Sequence, residues 1–171
     1  MVAGGMYSYH RMMAWAHENM VTKEAMMAAS DETGNAPSSG AEIIRAFLPA
    51  SPFVGHLGIQ LSEMEADRAT LTMPYAQALA TIGTVVHGGA IATLIDTAAM
   101  VAAWSGAEAP ATVRGSTVGL TVNYLAPAAG EDLRATARVL HRGRSLVQLD
   151  VEVRGASGVV VAKGLATYKI G

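Results

Sequence analysis

The run Val85-Val86-His87-Gly88-Gly89-Ala90-Ile91-Ala92-Thr93-Leu94-Ile95-Asp96-Thr97-Ala98-Ala99-Met100 constrains this chain more than any other stretch. It opens on a glycine turn, continues as an apolar helix, and carries one acid where an apolar residue is expected. The pattern predicts a helix over 88–104, ended by Ser105-Gly106 with Pro110 soon after. A helix that is apolar nearly all round has to be covered on most sides. Its small residues Ala90, Ala92, Ala98 and Ala99 allow a sheet to approach closely.

The chain supplies such a sheet. Ala69, Leu71, Met73 and Tyr75 alternate with Arg68, Thr70 and Thr72, which predicts a strand over about 67–74 after a first strand near 58–63. Beyond the helix, Ser116, Val118, Leu120, Val122 and Tyr124 alternate with Thr117, Gly119, Thr121 and Asn123. Leu133, Ala135, Ala137 and Val139 alternate with Arg134, Thr136 and Arg138; Val147, Leu149, Val151 and Val153 alternate with Gln148, Asp150, Glu152 and Arg154. A last strand over 159–168 is apolar on both faces, as a central or interface strand is. The loops between the later strands are short, which makes the strands antiparallel neighbours. The expected fold is α+β: about six antiparallel strands around one long buried helix.

Residues 41–171 hold all of these signals and form the expected domain. Glu42 near the start and Pro49 at the stop bound a short helix over 41–48, and Phe53, Val54, Leu57, Gly58 and Ile59 read as an entry loop. Residues 1–40 read as an extension: a Met- and Ala-rich helix over about 10–29, then a Gly-, Pro- and Ser-punctuated linker over 30–40. His10 and His17 have no acid or third histidine at ligand spacing, so no metal site is expected.

Composition narrows the function classes. Hydrophobic residues make up 51% of the 171 and charged residues 15%, with a formal net charge of −2. That balance carries no nucleic-acid footprint and suits a globule that hides further apolar surface in an oligomer. The absence of cysteine removes disulfides, thiolate metal sites and cysteine nucleophiles together, and fits a reducing cytoplasm. The most apolar run is interrupted by Asp96 and is shorter than the ~20 residues of a membrane span. The N-terminus lacks a basic start and an unbroken apolar stretch, so a signal peptide is not expected. There is no Gly-x-Ser-x-Gly elbow and no Gly-rich phosphate loop with Lys.

Chemistry concentrates in the central run. At a helix start the first backbone N–H groups have no intrahelical acceptor and carry the positive end of the helix dipole. Gly88 and Gly89 let a ligand approach that backbone closely. Such an end suits an oxyanion or a polarised carbonyl, though a glycine pair before a helix also serves as a plain turn. Asp96 is the stronger signal, because a buried unpaired carboxylate is costly. The residues alone admit two readings: an acid on a solvated stripe or bonded to Thr93 or Thr97, or an acid with a catalytic task. Eight residues separate Gly88 from Asp96, about 12 Å along one helix axis. If both touch one reacting carbonyl, the acid must come from a second copy, which places the site at a homodimer interface.

The run His87-Gly88-Gly89 with Asp96 seven residues beyond the second glycine resembles the motif of the hotdog-fold acyl-CoA thioesterases of the phenylacetate-degradation type. The similarity runs from Phe53-Val54-Gly55-His56-Leu57-Gly58-Ile59 to Ala166-Thr167-Tyr168-Lys169, and includes Met73-Pro74 and Asn123-Tyr124-Leu125-Ala126-Pro127. The resemblance implies a curved sheet wrapped on a long helix, with subunits paired edge to edge as dimers or tetramers. It implies cofactor-independent hydrolysis of acyl-CoA at sites between subunits, without metal, nucleic acid or membrane as partner. Gly88 N–H would polarise the thioester carbonyl beside Gly89, and His87 would hold the turn or the sulfur side. Asp96 of the other subunit would act as general base or nucleophile, and Thr117 would orient the water. Tyr124, Arg142, Gly143, Arg144, Ser145 and Lys169 match the region that contacts CoA. Many members carry Asn or Gln six residues before the histidine, where this chain has Thr81. That departure leaves a second reading, a hotdog protein that binds or senses acyl-CoA without useful turnover.

Overall fold

The computed structural model describes residues 39–108 and 113–171. The helix expected over 10–29, with His10 and His17, lies outside them. The elements run α1 (Gly40–Ala50), α2 (Pro52–His56), β1 (Gln60–Glu65), β2 (Arg68–Met73), a 3-10 turn (Gln77–Leu79), β3 (Ala80–Ile82), β4 (Val85–Val86), α3 (Gly88–Ser105), β5 (Gly115–Tyr124), β6 (Leu133–Arg142), β7 (Leu146–Gly155) and β8 (Val160–Ile170). Six strands form one antiparallel sheet in the order β1-β2-β6-β7-β8-β5, and β3 with β4 forms a small separate hairpin. The alternation read from the sequence gives the sheet its two faces. Ala69, Leu71, Met73, Ala135, Ala137, Leu149, Val151 and Val153 are buried against the helix side.

The central helix is the core. Leu94, Ile95, Ala98, Ala99, Val101, Ala102 and Ala103 are fully buried in it. By length and composition α3 could cross a membrane, yet here the sheet occupies most of its surface. Its less-buried positions are Gly88, Gly89, Ala92, Thr93, Asp96 and Met100, besides Ser105 at the end. Those from Gly89 to Met100 recur every three or four residues, so they form one open stripe along the helix.

Helix and sheet meet through small residues on both sides. On β8 the helix-facing positions are Ala162, Gly164 and Ala166, all buried. A Cβ on Gly164 would stand 2.5 Å from Ile95 Cγ2, on a side chain with no exposed surface. Gly164→Ala is therefore expected to destabilise the fold by about 1–3 kcal/mol, the cost of an extra carbon in a packed core. Urea unfolding measures this, and an unchanged midpoint would mean that Ile95 can yield.

The edges of the domain differ from the sequence reading in three places. Ser39 and Gly40 belong to the body and not to the linker. Ser39 caps α1, accepting from Glu42 N–H at 3.3 Å, and its backbone bridges Glu108. Gly40 N–H donates to Ala107 O at 2.9 Å. The first helix also continues through Pro49 to Ala50, because a proline in the last turn forfeits little of the remaining ladder. The entry loop contains a real helical turn, α2, which Pro52 opens in the position that suits it.

Candidate active site

His87 is the N-cap of α3. Its Nδ1 accepts the Gly89 N–H at 2.8 Å, so that nitrogen is unprotonated and the ring proton sits on Nε2. The His87 N–H donates to Leu79 O at 2.8 Å, and its carbonyl accepts from Ala90 and Ile91 N–H at 2.9 and 3.2 Å. Gly88 N–H has no acceptor among the described residues. One helix-end donor is thus left open at a position where the dipole favours negative charge. The Tyr124 hydroxyl donates to Gly88 O at 2.9 Å, and its ring lies 3.3 Å from where a Gly88 Cβ would be. The glycine leaves room for that ring, and the ring pins the turn.

The loop before the motif is braced by Gln77 and by Tyr75, which alternation marks only as a strand residue. Tyr75 donates its hydroxyl proton to Gln77 Oε1 at 2.8 Å, and Gln77 Nε2 donates to Gly83 O at 2.7 Å. Nothing in spacing or periodicity marks their contact; only the fold brings Gln77 to Gly83. Thr81 stands exposed on β3.

Asp96 sits on the open stripe of α3. The Thr117 hydroxyl donates to its Oδ1 at 2.6 Å. Thr93 and Thr97, the partners expected from the sequence, donate instead to the carbonyls of Gly89 and Thr93, one turn earlier, at 2.9 and 2.8 Å. Thr117 reaches the acid because β5 carries a bulge. The register of β5 with β8 shifts between Thr117 and Gly119. Thr117 pairs with the buried Tyr168, whereas Leu120 and Val122 pair with the buried Ala166 and Gly164. Val118 is the extra residue, and it turns Thr117 from the outer face to the helix face. Tyr168 lies across from Thr117, and Trp104 Nε1 donates to its hydroxyl at 3.2 Å. Burial, opposed by that hydrogen bond and aided by the Asp96 charge, raises the Tyr168 phenol above its usual range and keeps it neutral.

The residues expected around CoA divide. The β6–β7 turn holds Gly143, whose N–H donates to Leu146 O at 2.8 Å, with Arg144 and Ser145 exposed at its tip. Ser145 O accepts from Ile170 N–H at 3.0 Å, which sets the tip beside exposed Lys169 on β8. Arg142 is a correction to the sequence reading. Its Nε donates to Asp67 Oδ1 at 3.0 Å, a second nitrogen pairs with the same oxygen, and that nitrogen also donates to Ala103 O at 2.8 Å. It caps the far end of α3 and ties down the β1–β2 turn, where Asp67 holds a φ of 65°. Two of its three nitrogens are thus committed within the chain. Among the described residues no group of His, Asp and Glu could hold a metal ion.

Residues 83–162 match the family model of the thioesterase superfamily. A putative esterase of Halobacterium salinarum is 32% identical over 147 residues, spanning 81% of this chain and 97% of that protein. The chain belongs to the thioesterase superfamily. This thioesterase-superfamily chain is also similar to human acyl-coenzyme A thioesterase 13, at 31% identity over 76% of the chain and 93% of the relative. Among solved structures it is similar to the PaaI protein from the phenylacetic acid degradation operon of E. coli, with 28% identity, a TM-score of 0.59, and coverage of 67% and 85% of the two chains. The long helix in its six-stranded sheet is the hotdog fold of this superfamily.

Proposed function

We propose that this chain hydrolyses acyl-CoA thioesters to the free acid and CoA at a site built from two copies of itself. One observation carries the reading: the open N–H of Gly88 and the Thr117-held carboxylate of Asp96 sit on the same helix, eight residues apart. That spacing is about 12 Å, too far for both to touch one carbonyl in a single chain. A second copy removes the difficulty. Strand β5 is a ten-residue edge strand at the end of the sheet, with Val118, Leu120 and Tyr124 exposed on it. A long apolar edge of this kind is a template for strand pairing. Pairing two copies along β5 would bring the open stripes of both α3 helices to the interface and set Asp96 of one toward Gly88 of the other.

The thioester carbonyl oxygen would accept from Gly88 N–H. Asp96 of the second copy would take a proton from water as the water oxygen bonds to the carbonyl carbon, or would attack that carbon itself. Negative charge then develops on the oxygen at the helix end, where it is best stabilised. The C–S bond breaks as the carbonyl re-forms; in the first route the thiolate leaves as CoA with the proton Asp96 took from water, and in the second it leaves as CoA with a proton from solvent, after which water cleaves the acyl–Asp96 anhydride to the free acid and restores the carboxylate. Thr117 would hold Asp96 Oδ1 and leave Oδ2 for the reaction, while Gly89 and His87 would keep the turn in shape. Tyr124, Gly143, Arg144, Ser145 and Lys169 would receive the CoA side, without Arg142. The name of the human relative supports CoA as the carrier.

Release of free thiol from a panel of short, medium, long and aryl acyl-CoAs tests the reading. The expected result is saturable, metal-independent turnover on at least one member. Tight binding with no turnover on any of them would overturn it in favour of an acyl-CoA binding protein, the role that Thr81 in place of an amide residue suggests.

A further inference from the structure

The sheet face turned away from α3 carries a groove of about 350 Å³. Its floor is the pair Thr70 and Thr136, directly opposed across β2 and β6, with their hydroxyl oxygens 3.5 Å apart. Thr70 is 1% exposed. Two hydroxyls bonded to each other use one proton, so one O–H still points for an acceptor. One step along the same two strands, Arg68 stands directly opposite Arg138. Like charges at facing positions of a sheet repel and destabilise it.

Most other charges of this face are already matched. Glu152 is paired with Lys163 at 2.9 Å and Arg154 at 2.6 Å, and Asp150 with Lys163 at 3.7 Å. Lys163, then Arg154, holds the Glu152 carboxyl below its usual range against the opposing effect of burial. Arg134 is paired with Glu63 at 2.8 Å. Glu65 and Asp150 oppose Arg68 and Arg138 on the outer strands of that row. Even so, neither arginine makes an ion pair or hydrogen bond among the described residues. Two arginines at facing positions, neither in an ion pair, line the groove with the two threonines and suit a tetrahedral dianion, which takes charge-assisted bonds from both.

We propose that Arg68, Arg138, Thr70 and Thr136 form a binding site for a phosphate dianion, on the face of the sheet opposite to Gly88 and Asp96. The site does not depend on the thioesterase reading. It lies on β2 and β6, three and two strands away from Lys169 on β8; Arg138 shares β6 with the expected CoA hairpin but stands on the strand before the Gly143–Ser145 turn, so Arg144→Ala separates the two sites. The same chemistry fits free inorganic phosphate or the phosphate of a nucleotide.

The test titrates the purified full chain with inorganic phosphate and, separately, with adenosine 3′,5′-bisphosphate, at ionic strength held constant with chloride. Calorimetry and thermal melting are read for the unmodified chain, Arg68→Gln/Arg138→Gln, Thr70→Val, Arg144→Ala and Asp96→Asn. The expected result is saturable binding of at least one ligand, weakened at least about tenfold in the double variant by loss of the bridging guanidiniums. Binding should weaken in Thr70→Val and be unchanged in Asp96→Asn. Tighter binding of the bisphosphate would name a nucleotide as the source, and equal or tighter binding of phosphate would name the free anion. No saturable binding, identical binding in the double variant, or bisphosphate binding lost only on Arg144→Ala would overturn the proposal. So would a change of oligomeric mass in the double variant, which would make this face a subunit contact.

Discussion

Asp96→Asn is expected to lower turnover of the preferred acyl-CoA at least about 100-fold, the scale of losing a positioned acid–base group. The substitution is close to isosteric. An asparagine Oδ1 still accepts from the Thr117 hydroxyl, which now donates to Asp96 at 2.6 Å, so the helix and strand keep their contact. The fold, read by circular dichroism and by the elution of the oligomer, should be unchanged. The loss should fall on kcat, because the carboxylate acts on water or carbon and not on the CoA handle. Turnover within a few-fold of the unmodified chain would remove Asp96 from the reaction.

Gly88→Pro is the matching experiment at the other half of the site. Gly88 is the first residue of α3, where proline is tolerated, and His87 before it has φ −65° and ψ 134°, the conformation a residue before proline requires. The substitution deletes the one N–H proposed to meet the oxyanion. Turnover is expected to fall about 100- to 1000-fold, as when an oxyanion-hole donor is removed. Gly88→Ala is the control. It sets the same Cβ at 3.3 Å from the Tyr124 ring but keeps the N–H, so it should lose far less. Two inactive chains then test the division of the site. In a mixture of Asp96→Asn and Gly88→Pro chains, half of randomly assorted dimers are mixed, and each mixed dimer has one intact site. Activity should return to about a quarter of the unmodified level. No recovery from a mixture shown to have exchanged chains would place both groups of each site in one chain.

Much of this was legible in the residues. The alternation of β2, β6 and β7 follows directly from period-two burial, and an apolar helix with small residues had to be wrapped. The motif His87-Gly88-Gly89 and Asp96 was legible as a pair, and their spacing already asked for a second chain. What escaped notice was whatever depends on partners distant in sequence. Arg142, beside Arg144, matches the region that contacts CoA, and nothing local reveals that Asp67 and the Ala103 carbonyl claim it. His87 had two candidate roles, and only the 2.8 Å contact to Gly89 N–H shows it capping the helix. Gln77 carries no pattern at all, and alternation reads Tyr75 only as a strand residue, not as a brace of the loop. The boundary at Ser39 was missed because serine and glycine punctuate linkers and cap helices equally well.

The bulge in β5 is the last of these, and it governs the arithmetic of the site. Thr117 and Tyr124 are seven positions apart, an odd number, so a regular strand would aim them at opposite sides. Both nevertheless bond to the same helix, one at Asp96 and one at Gly88. The extra residue between them restores parity. The strand can therefore gain or lose residues between these two anchors only in pairs; a single insertion or deletion would leave the chain able to pair with β8 while turning one hydroxyl of the site to the wrong side.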